Sequence, residues 1–190
     1  AVSRIKRGSH VFIGTGAGEP KHLVETMIRE KNLYDIMIYQ MLSWSLANYV
    51  NDEDFLSRFS LKLFFISSNM REAAFQGKID YIPAYISKIP AFFASKQISL
   101  DVALIQVSPP DDFGYCSLGV SVDITKAGAE NAELVIAQVN PQMPRTFGDG
   151  FVHVDDIDFL VLYEEPLVIG VQGVANNKIS RRIGHYVSQL

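Results

Sequence analysis

The chain lacks most of the features that identify a function class at a glance. Its single cysteine, Cys116, excludes an internal disulfide and suits a reducing compartment. No apolar run approaches the ~20 residues a membrane helix requires. The apolar stretch after the basic start covers only residues 11–13, too short for the core of a signal peptide. Basic residues cluster nowhere beyond Arg4-Ile5-Lys6-Arg7, and the formal net charge is -4, so nothing asks for nucleic acid. The four histidines (His10, His22, His153, His185) are scattered without metal-site spacing. What is present is an ordinary globular composition, 48% hydrophobic and 20% charged over 190 residues, enough for one core. The expectation is a soluble, cytoplasmic protein with no metal, no nucleic-acid partner and no membrane span.

Two hydrophobic periods alternate along the chain. Strand-like apolar runs cover residues 11–13, 34–42, 61–66, 81–82, 101–107, 133–139 and 158–163, the last three reading as buried strands. Helical patterns cover residues 20–31, 52–59, 87–94 and a segment ending at Gln76, with Ser68 or Asn69 as its cap and Gly77 as its stop. Leu23, Val24, Met27 and Ile28 form the apolar face of the first helix, which Pro20 opens. This alternation predicts an α/β fold, an open and mostly parallel sheet flanked by helices, with ligands at the carboxyl ends of the strands. The termini read differently. Residues 1–8 resemble the last turns of a helix, and Ile179, Ile183, Tyr186, Val187 and Leu190 keep helical spacing after a possible Asn177 cap. They read as cut ends of a longer chain.

Three polar, glycine-bearing loops leave strands in this pattern. The first is "GTGAGEP", Gly14 to Pro20. Glycines let backbone N–H groups converge on an anion at a helix start. Yet the loop lacks the Lys-Ser/Thr of a P-loop, and Glu19 stands where a dinucleotide fingerprint has its third glycine. A tight structural turn and a ligand loop are equally supported. The second, residues 107–123 ("VSPPDDFGYCSLGVSVD"), carries Asp111, Tyr115, Ser117 and Ser121 among prolines and glycines. Its length favours function. The third, residues 140–158, holds Arg145 between Pro144 and Thr146, either an anion ligand or a surface arginine paired with Asp149. Cys116 with His153 as base is a conceivable nucleophile pair, but a packed thiol and a structural histidine are the better readings. "NDEDF" (51–55) reads as an acidic helix start. Phe64-Phe65 and Phe92-Phe93 read as core, while residues 81–85 are placed to line a pocket.

Together, "GTGAGEP", "DVALIQVSPPDDFGYCSLGVSVD", "NMREAAFQGKIDYIPAYISKIPAFF" and "IAQVNPQMPRTFGDGFVHVDDIDFLV" resemble, in order and over nearly the whole chain, the N-terminal half of the acetyl-CoA hydrolase/transferase family. The 4-hydroxybutyrate and butyryl CoA-transferase branch is the most similar. The resemblance implies that residues 1–190 are the N-terminal domain of a two-domain enzyme about twice this length, a homodimer with the active site between its halves. It implies CoA transfer from an acyl-CoA thioester to a short-chain carboxylate through a glutamyl-CoA thioester. It also implies the CoA-transferase-like open α/β fold shared with glucosamine-phosphate and ribose-phosphate isomerases. The alternatives are hydrolysis by the same family chemistry, a non-catalytic binding domain, and a sugar-phosphate isomerase or lactonase on that related fold. The nucleophilic glutamate falls in the C-terminal half, so no catalytic residue is placed here and Glu19, Glu164 and Glu165 are not candidates; this domain alone would be inactive. The last helix would lead into that half. Coenzyme A is a substrate, not a tightly bound cofactor. The resemblance places Gly14, Thr15, Gly16, Gly18, Glu19 and Pro20 at the cleft. With them come Pro110, Asp111, Gly114, Tyr115, Ser117 and Gly119, and Met143, Pro144, Arg145 and Thr146. Whether Thr15 touches substrate, and whether Arg145 binds an anion or braces its loop, both stay open.

Overall fold

The computed structural model describes residues 1–169 and 178–189. Seven parallel strands form one sheet in the order β4-β3-β2-β1-β5-β7-β9, and a two-stranded antiparallel ribbon, β6-β8, stands beside it. The strands are β1 (His10–Ile13), β2 (Ile36–Gln40), β3 (Phe59–Leu63), β4 (Ile79–Tyr81), β5 (Leu100–Val107), β6 (Tyr115–Ser117), β7 (Ala132–Val139), β8 (Phe151–His153) and β9 (Phe159–Leu162). The helices are α1 (Lys21–Arg29), α2 (Glu53–Arg58), α3 (Arg71–Phe75), α4 (Ile89–Ala94), α5 (Thr125–Asn131) and α6 (Lys178–Val187).

Alternation along the strands builds two cores. Val11 and Ile13 of β1 face Leu23, Val24 and Met27 of α1 and Phe55 of α2 on one side. Phe12, between them, faces Phe93 of α4 and Ala129 of α5 on the other. The chain runs from β1 outward to β4, then returns to β5 beside β1 and continues to β9. The winding therefore reverses between β1 and β5, where open α/β sheets form ligand crevices.

The predicted α/β sheet is observed, with shifts at its elements. The strand read at 61–66 lies at Phe59–Leu63, because Phe59, Leu61 and Leu63 alternate inward while Ser60 and Lys62 point away. Phe64 is buried, but its neighbour Phe65 is exposed, so only one of that pair is core. α3 starts at Arg71 without a side-chain cap, so neither Ser68 nor Asn69 serves as one. Gly77 ends this segment with φ +71. β9, read as buried, is an edge strand with Leu160 and Leu162 exposed. Asp52 caps α2 by accepting from the Phe55 N–H, as its acidic start predicts. The start of the chain is one 3-10 turn, Val2–Arg4. α6 keeps its apolar stripe, Ile179, Ile183, Tyr186 and Val187, exposed; Asn177 lies outside the described residues.

Two elements carry no apolar period and went unread. α5 ("TKAGAEN") packs through small residues, Gly128 and Ala129, rather than a hydrophobic stripe. β6, the other, is too short to show a pattern; it pairs with β8, where His153 alternates with apolar neighbours as a strand predicts, matching Tyr115 with His153, Cys116 with Val152 and Ser117 with Phe151.

Candidate functional site

The loops leaving β1, β2, β5 and β7 meet at the carboxyl end of the sheet. In the glycine loop, the Gly14 N–H donates to the Leu104 carbonyl at 2.8 Å and the Gly16 N–H to the Leu42 carbonyl at 2.8 Å. Gly18 donates to Thr15 and Glu19 to Gly16. These N–H groups are consumed within the protein, which is the opposite of an anion cradle. Gly16 has φ +57, a backbone that disfavours side chains. The loop is a tight junction between strands.

Glu19 is the buried hub of that junction, 1% exposed. Its carboxylate accepts from Gln40 Nε2 (3.2 Å), Ser43 Oγ (2.9 Å), Trp44 N–H (2.8 Å) and Ser45 N–H (3.1 Å). Burial pushes its carboxyl above the ordinary glutamate value, against the pull of those four donors. The Glu19 carbonyl accepts from Gln106 Nε2 at 2.9 Å, and Asn140 Nδ2 donates to Gln106 Oε1 at 2.6 Å. Asn140 also donates to the Glu165 carbonyl, and Gln138 Nε2 to Glu165 Oε1. A rail of buried amides thus crosses the strand ends from β2 to the segment after β9.

The loop after β5 is braced by Arg145. Its Nη1 donates to the Tyr115 carbonyl at 2.9 Å and its Nη2 to Asp111 Oδ2 at 2.8 Å. The guanidinium lies 5.2 Å from the Phe151 ring centre. Asp111 also accepts from the Tyr115 and Phe113 N–H groups. Those two bonds, Tyr115 first, together with Arg145, hold its carboxyl below the usual range. The partner of Arg145 is therefore Asp111, not Asp149, which pairs with Lys126. Ser117 Oγ accepts from Gly119 N–H and Thr146 N–H, and Thr146 Oγ1 donates to the Gly119 carbonyl. Gly119 has φ +58, and a Cβ there would stand 2.6 Å from the Pro144 carbonyl oxygen and 2.4 Å from Met143 Sδ. The loops 108–119 and 143–148 are thus one unit. Pro110, Tyr115, Pro144 and Arg145 are on its open side.

Cys116 and His153 do not meet as nucleophile and base. Cys116 is fully buried and burial raises its thiol pKa. His153 sits across from Tyr115, on the opposite ribbon face from Cys116. It donates from Nε2 to the Phe113 carbonyl at 3.0 Å and accepts the Asp155 N–H at Nδ1. Tyr81 and Tyr85 are exposed at the β4 edge. Two open concavities lie away from the rim. One of about 380 Å³ is lined by Glu130, Glu133, Asp155, Asp156 and Asp158; the other, about 500 Å³, by Arg4, Lys6, Arg7 and Asp101. Among the described residues no group of three His, Cys, Asp or Glu side chains is placed to hold a metal, and no helix is long and apolar enough to cross a membrane.

Sequence reasoning missed the amide rail, the loop 41–46 and Asp123. The rail had a legible sign. Gln40, Gln106 and Gln138 interrupt three apolar runs near their ends, and a buried amide calls for partners; the three nitrogens find them, while the Gln40 and Gln138 oxygens have none among the described residues.

An open parallel sheet whose loops interlock at the winding reversal is an α/β enzyme-type scaffold with its crevice rim built from β1, β2, β5 and β7. The comparisons narrow the class. Residues 1–171 match the acetyl-CoA hydrolase/transferase N-terminal domain, and the chain belongs to that family. It is 43% identical to the 4-hydroxybutyrate coenzyme A transferase of Clostridium kluyveri over 100% of this chain and 44% of that protein. It is 38% identical to the succinyl-CoA:acetate/propanoyl-CoA:succinate CoA transferase of Fasciola hepatica, over 85% of this chain and 34% of that one. Among solved structures, RipA from Yersinia pestis superposes with a TM-score of 0.88 at 26% identity, covering 99% of this chain and 45% of that one. The 4-hydroxybutyrate CoA-transferase of Porphyromonas gingivalis superposes with a TM-score of 0.75 at 28% identity, over 99% and 43%. The chain spans less than half the length of the curated relatives it matches.

Proposed function

We propose that this chain is the N-terminal half of a CoA-transferase that moves CoA between an acyl-CoA thioester and a short-chain carboxylate of the acetate, butyrate or 4-hydroxybutyrate type. The observation that carries this is the 43% identity to a 4-hydroxybutyrate CoA-transferase over the whole of this chain; the polar loops after β1, β2, β5 and β7 meet at one rim. In this reading a glutamate from a second half of the same polypeptide attacks the thioester carbonyl, a glutamyl-CoA thioester forms, and a second carboxylic acid takes over the CoA. The engagement of the local carboxylates supports placing the nucleophile outside this domain. Glu19 is sealed by four donors, Glu165 accepts from Gln138, and Glu164 accepts from Gln142. This domain alone is then inactive.

The rim supplies shape. Gly14, Thr15, Gly16, Gly18, Glu19 and Pro20, all buried, back one wall. Pro110, Asp111, Gly114, Tyr115, Ser117 and Gly119, with Met143, Pro144, Arg145 and Thr146, form the other. The enzyme is a cytoplasmic homodimer that takes CoA as substrate rather than as a resident cofactor. The test is incubation of the full-length gene product with acyl-CoA donors, with and without acetate, followed by borohydride trapping and peptide mass spectrometry. Acetate-dependent turnover with a trapped glutamate beyond residue 190 supports the reading. Acetate-independent release of CoA would favour hydrolysis, and turnover by this domain alone would overturn the placement of the nucleophile.

A further inference from the structure

We propose that Asp123 is a positioning residue that fixes the glycine loop of the transfer site through Thr15 and Ser121. The inference rests on the transferase reading for its catalytic consequence. Its structural basis is the division of labour between the two carboxylate oxygens. Oδ1 faces the start of α5, accepting from the Ile124 N–H (2.5 Å), the Thr125 N–H (3.1 Å) and Thr125 Oγ1 (3.1 Å). Oδ2 faces across to the loop after β1, accepting from Thr15 Oγ1 at 2.5 Å and Ser121 Oγ at 2.8 Å. Holding the start of α5 needs only the first oxygen. The second joins loops from β1 and β5, the two strands that flank the winding reversal.

The surroundings are shaped for that link. Thr15 is 1% exposed, so its hydroxyl faces Asp123 and Ser121 rather than open space. Ser121 Oγ also lies 2.7 Å from the Thr15 carbonyl and 3.1 Å from Thr15 Oγ1. Gly18 permits the approach, since a Cβ there would stand 2.7 Å from Ser121 Cβ. Asp123 holds φ +22, outside the regions a non-glycine residue ordinarily occupies, and the bonds to both oxygens maintain it. From Thr15 the lock continues through the Gly16 N–H to Leu42, and through Glu19 to the Trp44 and Ser45 N–H groups. The Asp123 carboxylate therefore joins the loop after β1 to the segment before α5, and the loop after β1 is in turn tied to residues 42–45. Thr15 serves the site through this bond.

Asp123→Asn separates the two roles. Asparagine tolerates positive φ and keeps a side-chain oxygen in place of Oδ1, so it preserves the bonds to Ile124 and Thr125. Its amide nitrogen replaces Oδ2 with a donor, so the two hydroxyls must turn round to accept, and the negative charge that held them is lost. Thr15→Val removes the partner hydroxyl at constant shape, and Thr15→Ser keeps it. In the full-length protein, Asp123→Asn and Thr15→Val are expected to lower kcat for CoA transfer to acetate by roughly 10- to 100-fold, the scale of a small misplacement of a reacting group. The KM for acyl-CoA should move little, and Thr15→Ser should restore kcat. Hydrogen exchange of residues 14–19 should rise in the first two variants while residues 125–131 stay protected. Unchanged kcat, no rescue by Thr15→Ser, or exchange rising throughout the domain would each overturn the proposal. Absence of transfer by the wild-type protein would defeat the transferase reading instead; the exchange comparison would then still decide whether Asp123 holds the loop.

Discussion

Substituting Gly128 by alanine sets helix propensity against packing, and the structure says which wins. Gly128 lies inside α5, where alanine is favoured over glycine by about 1 kcal/mol. A Cβ at that position would stand 2.5 Å, 2.6 Å and 2.9 Å from three ring atoms of Phe12, well inside ordinary contact. Phe12 has nowhere to retreat. It is fully buried on β1, and the Phe93 ring meets it edge-on with centroids 5.7 Å apart. Forcing a methyl into such a core costs about 1–3 kcal/mol, and contact with three atoms of one rigid ring argues for the upper part of that range. The net effect is a loss of about 1–2 kcal/mol, which in a domain of this size lowers Tm by roughly 2–8 °C. Thermal melting followed by circular dichroism reads it directly. Phe12→Leu should relieve the clash, so the double variant should lose less than the sum of the two single losses. A Tm increase in Gly128→Ala, which propensity alone predicts, would refute the packing argument; so would strict additivity with Phe12→Leu.

Three further outcomes follow from the site. Because burial raises the Glu19 carboxyl, its stabilising contribution is fully present below the ordinary glutamate pKa and is lost as pH rises through the raised value. The stability difference between wild type and Glu19→Gln should therefore drift toward the variant with rising pH, and denaturant titrations showing a constant difference would contradict this. Arg145→Lys keeps the charge but loses the fork that grips Tyr115 and Asp111. It and Asp111→Asn should impair transfer to similar extents and non-additively, whereas additive losses would return Arg145 to the role of an independent anion ligand. Gly119→Ala must adopt positive φ and displace the Pro144 carbonyl. Hydrogen exchange should therefore rise across residues 143–150, and unchanged protection there would show that the two loops are not interlocked.

The fold was legible where the hydrophobic effect writes a period. β5 and β7 are continuous apolar runs because both faces are covered, and α1 shows its four buried residues at helical spacing. It was illegible where packing works by the absence of side chains. α5 approaches Phe12 through a glycine, and no apolar stripe marks it. β9 reads as a buried strand from "DFLVLY", yet its place at the sheet edge leaves alternate residues uncovered, and edge position is a property of topology. The site divides in the same way. The three loops could be found from their glycines and prolines, and Arg145 stood out among them. That Arg145 grips Asp111, 34 residues earlier, and that Thr15 meets Asp123 across the sheet, depend on β1 and β5 being neighbours, which no local spacing encodes.

The glycine loop shows why a motif of this kind misleads when read by composition. Glycine permits two outcomes, backbone turned outward toward an anion or backbone drawn inward against another chain segment. The remaining residues decide between them. A lysine and hydroxyl after the glycines would favour the first. Here a glutamate follows, and a carboxylate at that point cannot coexist with a bound phosphate but can gather N–H groups from a neighbouring loop. Glu19 does so with Trp44 and Ser45, while Gln106 fixes its carbonyl from β5. The N–H groups of Gly14, Gly16, Gly18 and Glu19 are spent on four carbonyls of the same chain. A rim whose polar groups are mostly paired among themselves, the buried Gln40 and Gln138 side-chain oxygens excepted, offers a rigid, preorganised wall, and rigidity of that kind is what the proposed transfer needs to hold a thioester against a nucleophile carried by a different element.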